Sequence, residues 1–594
     1  MPRVTIEGVR PEVDGGRYPV KRARGEEVLV EADVFADGHD VVACELLFRF
    51  LGEKNWQTAP MQSLGNDRWS AAFRVDKLGR YEYTVRGWTD PLQTWKRDLE
   101  KRKAAKQDIS VDLQIGAELE KRAERAVAYY DKVLEVVVDP PRARFSSWYE
   151  MFPRSARGDG THGTFRDVIA RLPYVAELGF DVLYLPPIHP IGATARKGRN
   201  NDVAARPGDV GSPWAIGAKE GGHKAVHPDL GTLADFDLLV KTSRQYGIDV
   251  ALDIAFQCSP DHPYVKQHPE WFRWRPDGTV QYAENPPKKY QDIYPFEFET
   301  AAWPELYDEL KSVFEFWVSH GVKIFRVDNP HTKPFAFWEW AIRELKNQHP
   351  DLIFLSEAFT RPRIMHRLAK LGFTQSYTYF TWRNTKQELV EYFTELSTDP
   401  SREYFRPNVW PNTPDILHAT LQHGGPPAFM SRVVLAATLS ANYGLYGPAY
   451  ELMEHQPREP DSEEYLYSEK YEIKTWDTDR ADSLRTLLAK LNQIRKANAA
   501  LQSDWSLKFH DVDNDQLIAY SKQEGDNLIL TVVNLDTRNA QSGWVEFGFG
   551  GEDFEVQDLL GSGRYTWQGD RNYIELNPHA LPAHVFLVHR RTHP

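Results

Sequence analysis

From Val4 to about Val111, apolar and polar positions alternate in short runs, Glu27 to Ala32, Glu45 to Phe50, Trp69 to Val75 and Arg80 to Gly87, broken by Gly, Asp and Asn turns. A period of two with frequent turns predicts half-buried strands in an all-β sandwich. We assign residues 1–112 to such an N-terminal domain. From Gln114 to Val138 the pattern shifts to a helical period dense in Glu, Lys and Arg, and Asp139-Pro140-Pro141 stops it. A helical segment with a linker is therefore expected over 113–142.

Beyond the linker, short apolar runs alternate with amphipathic helical stretches, the signature of βα units. The runs are Phe145 to Tyr149, Asp181 to Leu185, Asp249 to Ile254, Lys323 to Val327, Leu352 to Ser356, Gln375 to Thr381, Asn408 to Trp410 and Ala441 to Tyr446. Eight such units predict an α/β fold, a (β/α)8 TIM barrel over 143–500, closed by the helix Ser483 to Ala497. Two intervals, about 186–226 and 257–296, are too long for simple βα loops. Both follow strand C-terminal ends, the face where such barrels carry their sites. Past Leu501, alternating runs return (Gln516 to Ser521, Asn527 to Asn534, Trp544 to Phe549, Tyr573 to Leu576, His584 to His589), predicting a C-terminal β-sandwich over 501–594.

Composition narrows the function classes. With 594 residues, 41% of them hydrophobic and 26% charged, the chain can bury a large core, and no window approaches a membrane span. A formal net charge of −13 argues against nucleic-acid partners. Met1 to Val13 lacks a continuous apolar stretch, so export is not expected. The two cysteines, Cys44 and Cys258, suit a reducing cytoplasm and exclude a disulfide framework.

Three carboxylates fall at or just after predicted strand ends: Asp328 in Ile324-Phe-Arg-Val-Asp328, Glu357 in Phe354-Leu-Ser-Glu357, and Asp415 in Asn412-Thr-Pro-Asp415. The spacings of 29 and 58 residues correspond to one and two βα units, which aims all three into one barrel mouth. Glycosidic bond exchange with retention needs a carboxylate nucleophile and a second carboxyl kept protonated as acid and then base. Crowding of acids raises the pKa of one of them. Arg326, two residues before Asp328, points to the same side and can hold that carboxylate ionised. One such Asp is more often a surface acid or a helix cap; three at matching strand ends are not.

Phe325-Arg326-Val327-Asp328, Glu357 and the Asp415 segment resemble the motifs of the α-amylase family of glycoside hydrolases, and Asp253 resembles the aspartate of its first motif. The resemblance covers roughly Arg144 to Ala500. Two departures speak against ordinary starch hydrolysis: Gln257-Cys258 stands where the family usually has Asn-His, and no histidine precedes Asp415. With Glu284-Asn-Pro-Pro-Lys-Lys-Tyr290, Asp328-Asn-Pro-His331 and Ser468-Glu-Lys-Tyr471, these departures resemble the α-1,4-glucan:maltose-1-phosphate maltosyltransferases. The resemblance implies retaining transfer of a maltosyl unit from α-maltose 1-phosphate to the non-reducing end of an α-1,4-glucan. It implies Asp328 as nucleophile, Glu357 as acid/base and Asp415 as the third carboxylate. It further implies that Asn285, Lys288, Tyr290 and Asn329 bind the donor phosphate, and that Lys197, Gln257, Lys470 and Tyr471 contact the sugars. Relatives carry a larger helical insertion that helps form a homodimer; here it is shortened to about Gln114 to Val138, which leaves the dimer open. His223, His227, His262 and His331 show no metal-binding spacing, and no cofactor is called for.

Overall fold

A computed structural model describes residues 3–119, 126–286 and 288–590, with the side chain of Lys288 outside the description. The chain divides into two compact units, one ending at Pro141 and the other beginning at Arg142.

The first unit holds two sheets. One orders Val4–Arg10, Glu27–Ala36, Arg68–Arg74 and Gln62–Gly65; the other orders Val20–Ala23, Leu134–Asp139, Gly79–Thr89, Val42–Phe50 and Gln57–Pro60, with Ala128–Tyr129 paired beside Gly79–Thr89. Val28, Val30, Ala32 and Val34 are fully buried at alternate positions, as a strand with one face on a core requires. Here the expected helical segment needs correction. Among the described residues around it the helices are Pro91–Ala104 and Ser110–Leu119, whereas Leu134–Asp139 is a strand, parallel to Val20–Ala23 and antiparallel to Gly79–Thr89. Its Val136-Val-Val138 run carries β-branched side chains that favour a pleated surface, and the flanking charges concealed it. Residues 120–125, inside the same expectation, lie outside the described residues.

The second unit is built on eight parallel strands: β1 Ser146–Glu150, β2 Val182–Leu185, β3 Asp249–Ile254, β4 Ile324–Asp328, β5 Ile353–Glu357, β6 Gln375–Tyr377, β7 Pro407–Asn408 and β8 Asn442–Tyr446. The sheet closes on itself where Val409 bridges Tyr443 just past β7. Inside, Trp148, Tyr184, Ile324, Leu355, Tyr377 and Trp410 form the packed core. Trp410 fits because β8 carries Gly444, where an added Cβ would lie 2.2 Å from the Trp410 ring. Below these aromatics, Gln375 donates to the Ala143 carbonyl and to Asn442, Asn408 donates to Gln375, and Trp410 Nε1 donates to Asn408, so the buried polar floor is hydrogen-bonded.

Capping boxes at Thr164 and Thr232 start the helices that follow β1 and β2. The two long intervals leave the C-terminal ends of β2 and β3. The second contains an antiparallel hairpin, Ala283–Asn285 against Lys288–Tyr290. After the helix Arg485–Ala497, six strands from Lys508 to Arg590 form one sheet and Gln541–Glu546 pairs with Arg571–Leu576 in another, around Leu530, Val532, Phe554, Trp567 and Phe586. Among the described residues no helix is long and apolar enough to cross a membrane.

Candidate active site at the barrel mouth

Parallel register sets the site. Pairing of β4 with β5 puts Asp328 directly beside Glu357, and pairing of β3 with β4 puts Asp253 beside Arg326. Arg326 Nη1 donates to Asp253 Oδ2 and to Asp328 Oδ1, each at 2.9 Å, and Nη2 lies 3.6 Å from Glu357 Oε2. One buried guanidinium therefore serves three carboxyl groups. The rings of Tyr184 and Tyr377 lie on either strand side of it, each centroid 5.8 Å from Cζ. Asp253 also accepts from Tyr184 OH at 2.5 Å and from Trp214 Nε1 at 3.3 Å.

The turn after β4 adds the remaining contacts. The Asn329 backbone N–H donates to Glu357 Oε2 at 3.0 Å and its side-chain amide to Asp328 Oδ2 at 3.2 Å. The two carboxyl groups end in different protonation states. Burial pushes Glu357 up to about 7, aided by the Asp328 and Asp415 charges and opposed by Arg326 and the Asn329 N–H. Burial would raise Asp328 too, but Arg326 and Lys333 outweigh it and hold the carboxylate below its usual range. The pair is thus a carboxylate beside a carboxyl group that keeps its proton up to about pH 7, the combination a retaining displacement needs.

Asp415 follows β7 and is held by Lys470, whose ammonium donates to Asp415 Oδ1 at 2.7 Å and sits 4.8 Å over the Trp214 ring. Gln257 donates to the Trp214 carbonyl at 3.1 Å. Lys197 and Tyr471 are buried nearby, and Lys197 and Lys470 both act on the buried carboxyl of Asp292. Arg326, Asp328, Asn329 and Glu357 are thus joined by direct contacts, and Asp415, Lys470 and Gln257 meet around Trp214. Asn285 and Tyr290 instead stand exposed on the 283–290 hairpin, with no hydrogen bond to the triad among the described residues.

Residues that sequence reasoning did not assign to the site are Tyr184, Trp214, Asp292 and Lys333. Each has a common structural use, so nothing in its own motif marks it. The histidines fall into place differently. His262 Nδ1 accepts from Tyr264 N–H, which leaves Nε2–H to donate to His223 Nδ1 at 3.1 Å, and His223 Nε2–H donates to the Ala255 carbonyl at 2.9 Å. Cys258 Sγ lies within 4.8 Å of a ring nitrogen of each histidine. The network still uses both nitrogens of each neutral imidazole, and a metal on His262 Nε2 would conflict with its fixed tautomer.

Residues 2–152 match the family model for domain N/S of α-1,4-glucan:maltose-1-phosphate maltosyltransferase, residues 149–304 the α-amylase catalytic domain, and residues 509–588 a C-terminal domain of the same maltosyltransferases. Among solved structures, an α-amylase from Lactobacillus plantarum is similar at a TM-score of 0.57 and 21% identity, over 74% of this chain and 100% of that one. The maltogenic α-amylase AmyB from Thermotoga neapolitana gives a TM-score of 0.59 at 20% identity, over 75% and 99%. These likenesses show the barrel fold. Proteins named α-1,4-glucan:maltose-1-phosphate maltosyltransferase are much nearer: that of Chlorobaculum tepidum is 53% identical over 99% of this chain and 96% of its own length. That of Methylacidiphilum infernorum is 49% identical over the same shares, and isoform 1 of Streptomyces coelicolor is 47% identical over 100% and 96%. The chain belongs to the α-1,4-glucan:maltose-1-phosphate maltosyltransferase family.

Proposed function

We propose that this protein transfers maltosyl units from α-maltose 1-phosphate to the non-reducing ends of α-1,4-glucan, with retention and through a covalent glycosyl ester on Asp328. The observation that carries the proposal is the Asp328–Glu357 pair, side by side on β4 and β5, in which burial raises the Glu357 carboxyl while Arg326 and Lys333 hold Asp328 ionised. Ionised Asp328 attacks the anomeric carbon while protonated Glu357 gives its proton to the departing phosphate. Glu357, now a carboxylate, takes the proton of the acceptor 4-hydroxyl as that oxygen attacks the anomeric carbon of the ester and the Asp328 carboxylate leaves. Asp415 binds sugar hydroxyls and, fixed by Lys470, stabilises the positive charge that develops on the ring.

Lys197, Gln257, Lys470 and Tyr471 bind the maltosyl sugars. Asn285, Lys288, Tyr290 and Asn329 bind the phosphate, a dianion suited to amide, ammonium and phenol donors. The 283–290 hairpin carries the first three of these groups. The natural acceptor is a glycogen-like glucan. Two buried free cysteines suit a reducing cytoplasm.

Given α-maltose 1-phosphate and maltohexaose, the protein should release inorganic phosphate and lengthen the glucan in two-glucose steps. Rapid starch hydrolysis without dependence on a phosphate donor would defeat the proposal.

A further inference from the structure

The turn that leaves β4 reads Asn329-Pro-His-Thr-Lys333, and its first residue is held in the left-handed region at φ 42° and ψ 52°. Asparagine enters this region more readily than other side chains except glycine, and contacts around the turn fix it there. Those contacts converge on one atom. The Asn329 carbonyl accepts from Thr332 N–H at 3.1 Å, from Thr332 Oγ1 at 2.8 Å and from the Lys333 ammonium at 3.2 Å. The same ammonium approaches the Asp328 carbonyl at 3.5 Å. Trp338 Nε1 donates to the Pro330 carbonyl at 2.8 Å and fixes the middle of the turn. What the turn presents to the barrel mouth is Asn329, whose N–H and amide reach Glu357 and Asp328.

Burying an ammonium is costly, and an apolar side chain would fill the space without that cost. Lys333 is nevertheless buried; burial pulls its pKa down, while Asp328, Glu357 and Asp253 oppose that shift and favour its charge. We propose that Lys333 is a positioning residue: by drawing the carbonyls of Asp328 and Asn329 onto its buried ammonium, it locks the left-handed turn through which Asn329 grips both reacting carboxyl groups. This inference rests on Asp328 and Glu357 having the roles given above.

The charge of Lys333 has a second effect. Asp328 is faced by Arg326 on its own strand, Asp253 from β3, Glu357 from β5, Lys470 from the loop after β8, and His331 and Lys333 from the turn. Lys333 and Arg326 together keep Asp328 ionised at low pH. Removing the lysine charge lets the Asp328 carboxyl rise, so the acid limb of kcat/KM moves to higher pH.

The test compares Lys333→Met and Lys333→Gln in the full chain with α-maltosyl fluoride, a donor with no ionisation of its own in this range. Lys333→Met should lower kcat about tenfold or more per active site with KM changed by less than about twofold, and should shift the acid limb upward. Lys333→Gln, a hydrogen-bond donor without charge, should recover part of kcat but keep the shifted limb. Active sites are counted by the glycosyl-enzyme trapped when each change is combined with Glu357→Ala, and folding is followed by near-ultraviolet circular dichroism. If Lys333→Met does not fold, the acid limb of Lys333→Gln decides. An unmoved acid limb, or a kcat loss that disappears once active sites are counted, overturns the inference. Failure of the underlying roles would show separately, as an adduct mapped away from Asp328 in Glu357→Ala supplied with α-maltosyl fluoride.

Discussion

The opposite protonation of Asp328 and Glu357 has a kinetic signature that the donor's leaving group can isolate. With Glu357 at about 7, roughly half of the enzyme carries the acid proton at pH 7, and each further pH unit removes about tenfold. At pH 9 about 1% remains protonated, equivalent to about 2.7 kcal/mol added to the barrier for expelling phosphate. Departing fluoride needs little acid help, so α-maltosyl fluoride should lose most of that alkaline limb on the same enzyme. The assay follows phosphate or fluoride release at donor concentrations well below KM between about pH 5 and 10. Glu357→Gln, close in shape but without a proton to give, should slow the phosphate donor by about 10²- to 10⁴-fold and flatten its alkaline limb. Identical alkaline limbs on the two donors, or a limb that survives in Glu357→Gln, would refute the assignment of Glu357 as the acid.

Three further expectations follow from other parts of the molecule. Glu451 is buried against the hydroxyls of Tyr149 and Tyr174 and burial pushes it up to about 7; its stabilising contribution is complete below the usual carboxylate range and is lost as pH rises through 7, by on the order of 3 kcal/mol, so Glu451→Gln should flatten the decline of Tm between about pH 5 and 8, and an unchanged decline would contradict this. Gly444→Ala, whose Cβ would meet the Trp410 ring at 2.2 Å, should destabilise the barrel by about 1–3 kcal/mol or more in thermal melts, and a neutral effect would mean that Trp410 can move. Asn285→Ala and Lys288→Ala should weaken use of α-maltose 1-phosphate by about 1.5–3 kcal/mol per lost charge-assisted hydrogen bond while sparing α-maltosyl fluoride; equal losses on both donors would remove these side chains from the phosphate pocket. Asn329→Ala is a poorer probe of the phosphate, because the Asn329 amide already holds Asp328, and it should impair both donors.

The parts legible from sequence are those in which one residue type repeats at the spacing of one structural unit. The eight strand runs are short and mostly apolar or aromatic between amphipathic helices, and Asp249 to Ile254 coincides with β3 end to end. Asp328 and Glu357 could be paired because one βα unit separates them and parallel register does the rest. Strand Leu134–Asp139 was concealed because its alternation is short and set among charges that read as a helix face. Lys333 was illegible for another reason: its contacts are to backbone carbonyls four and five residues behind it, which depend on a left-handed turn that no motif announces. Likewise Tyr184 and Trp214 look like core aromatics, and only the convergence of both on Asp253 gives them a place at the site.

The covalent step is the centre of the account, and trapping tests it most directly. Glu357→Ala supplied with α-maltosyl fluoride and no acceptor can still be glycosylated, because fluoride leaves without an acid, but it lacks the base that would clear the ester. Intact-mass spectrometry should then show one maltosyl adduct per chain, and peptide mapping should place it on Asp328. No adduct under conditions that release fluoride, or an adduct on another residue, would contradict the account.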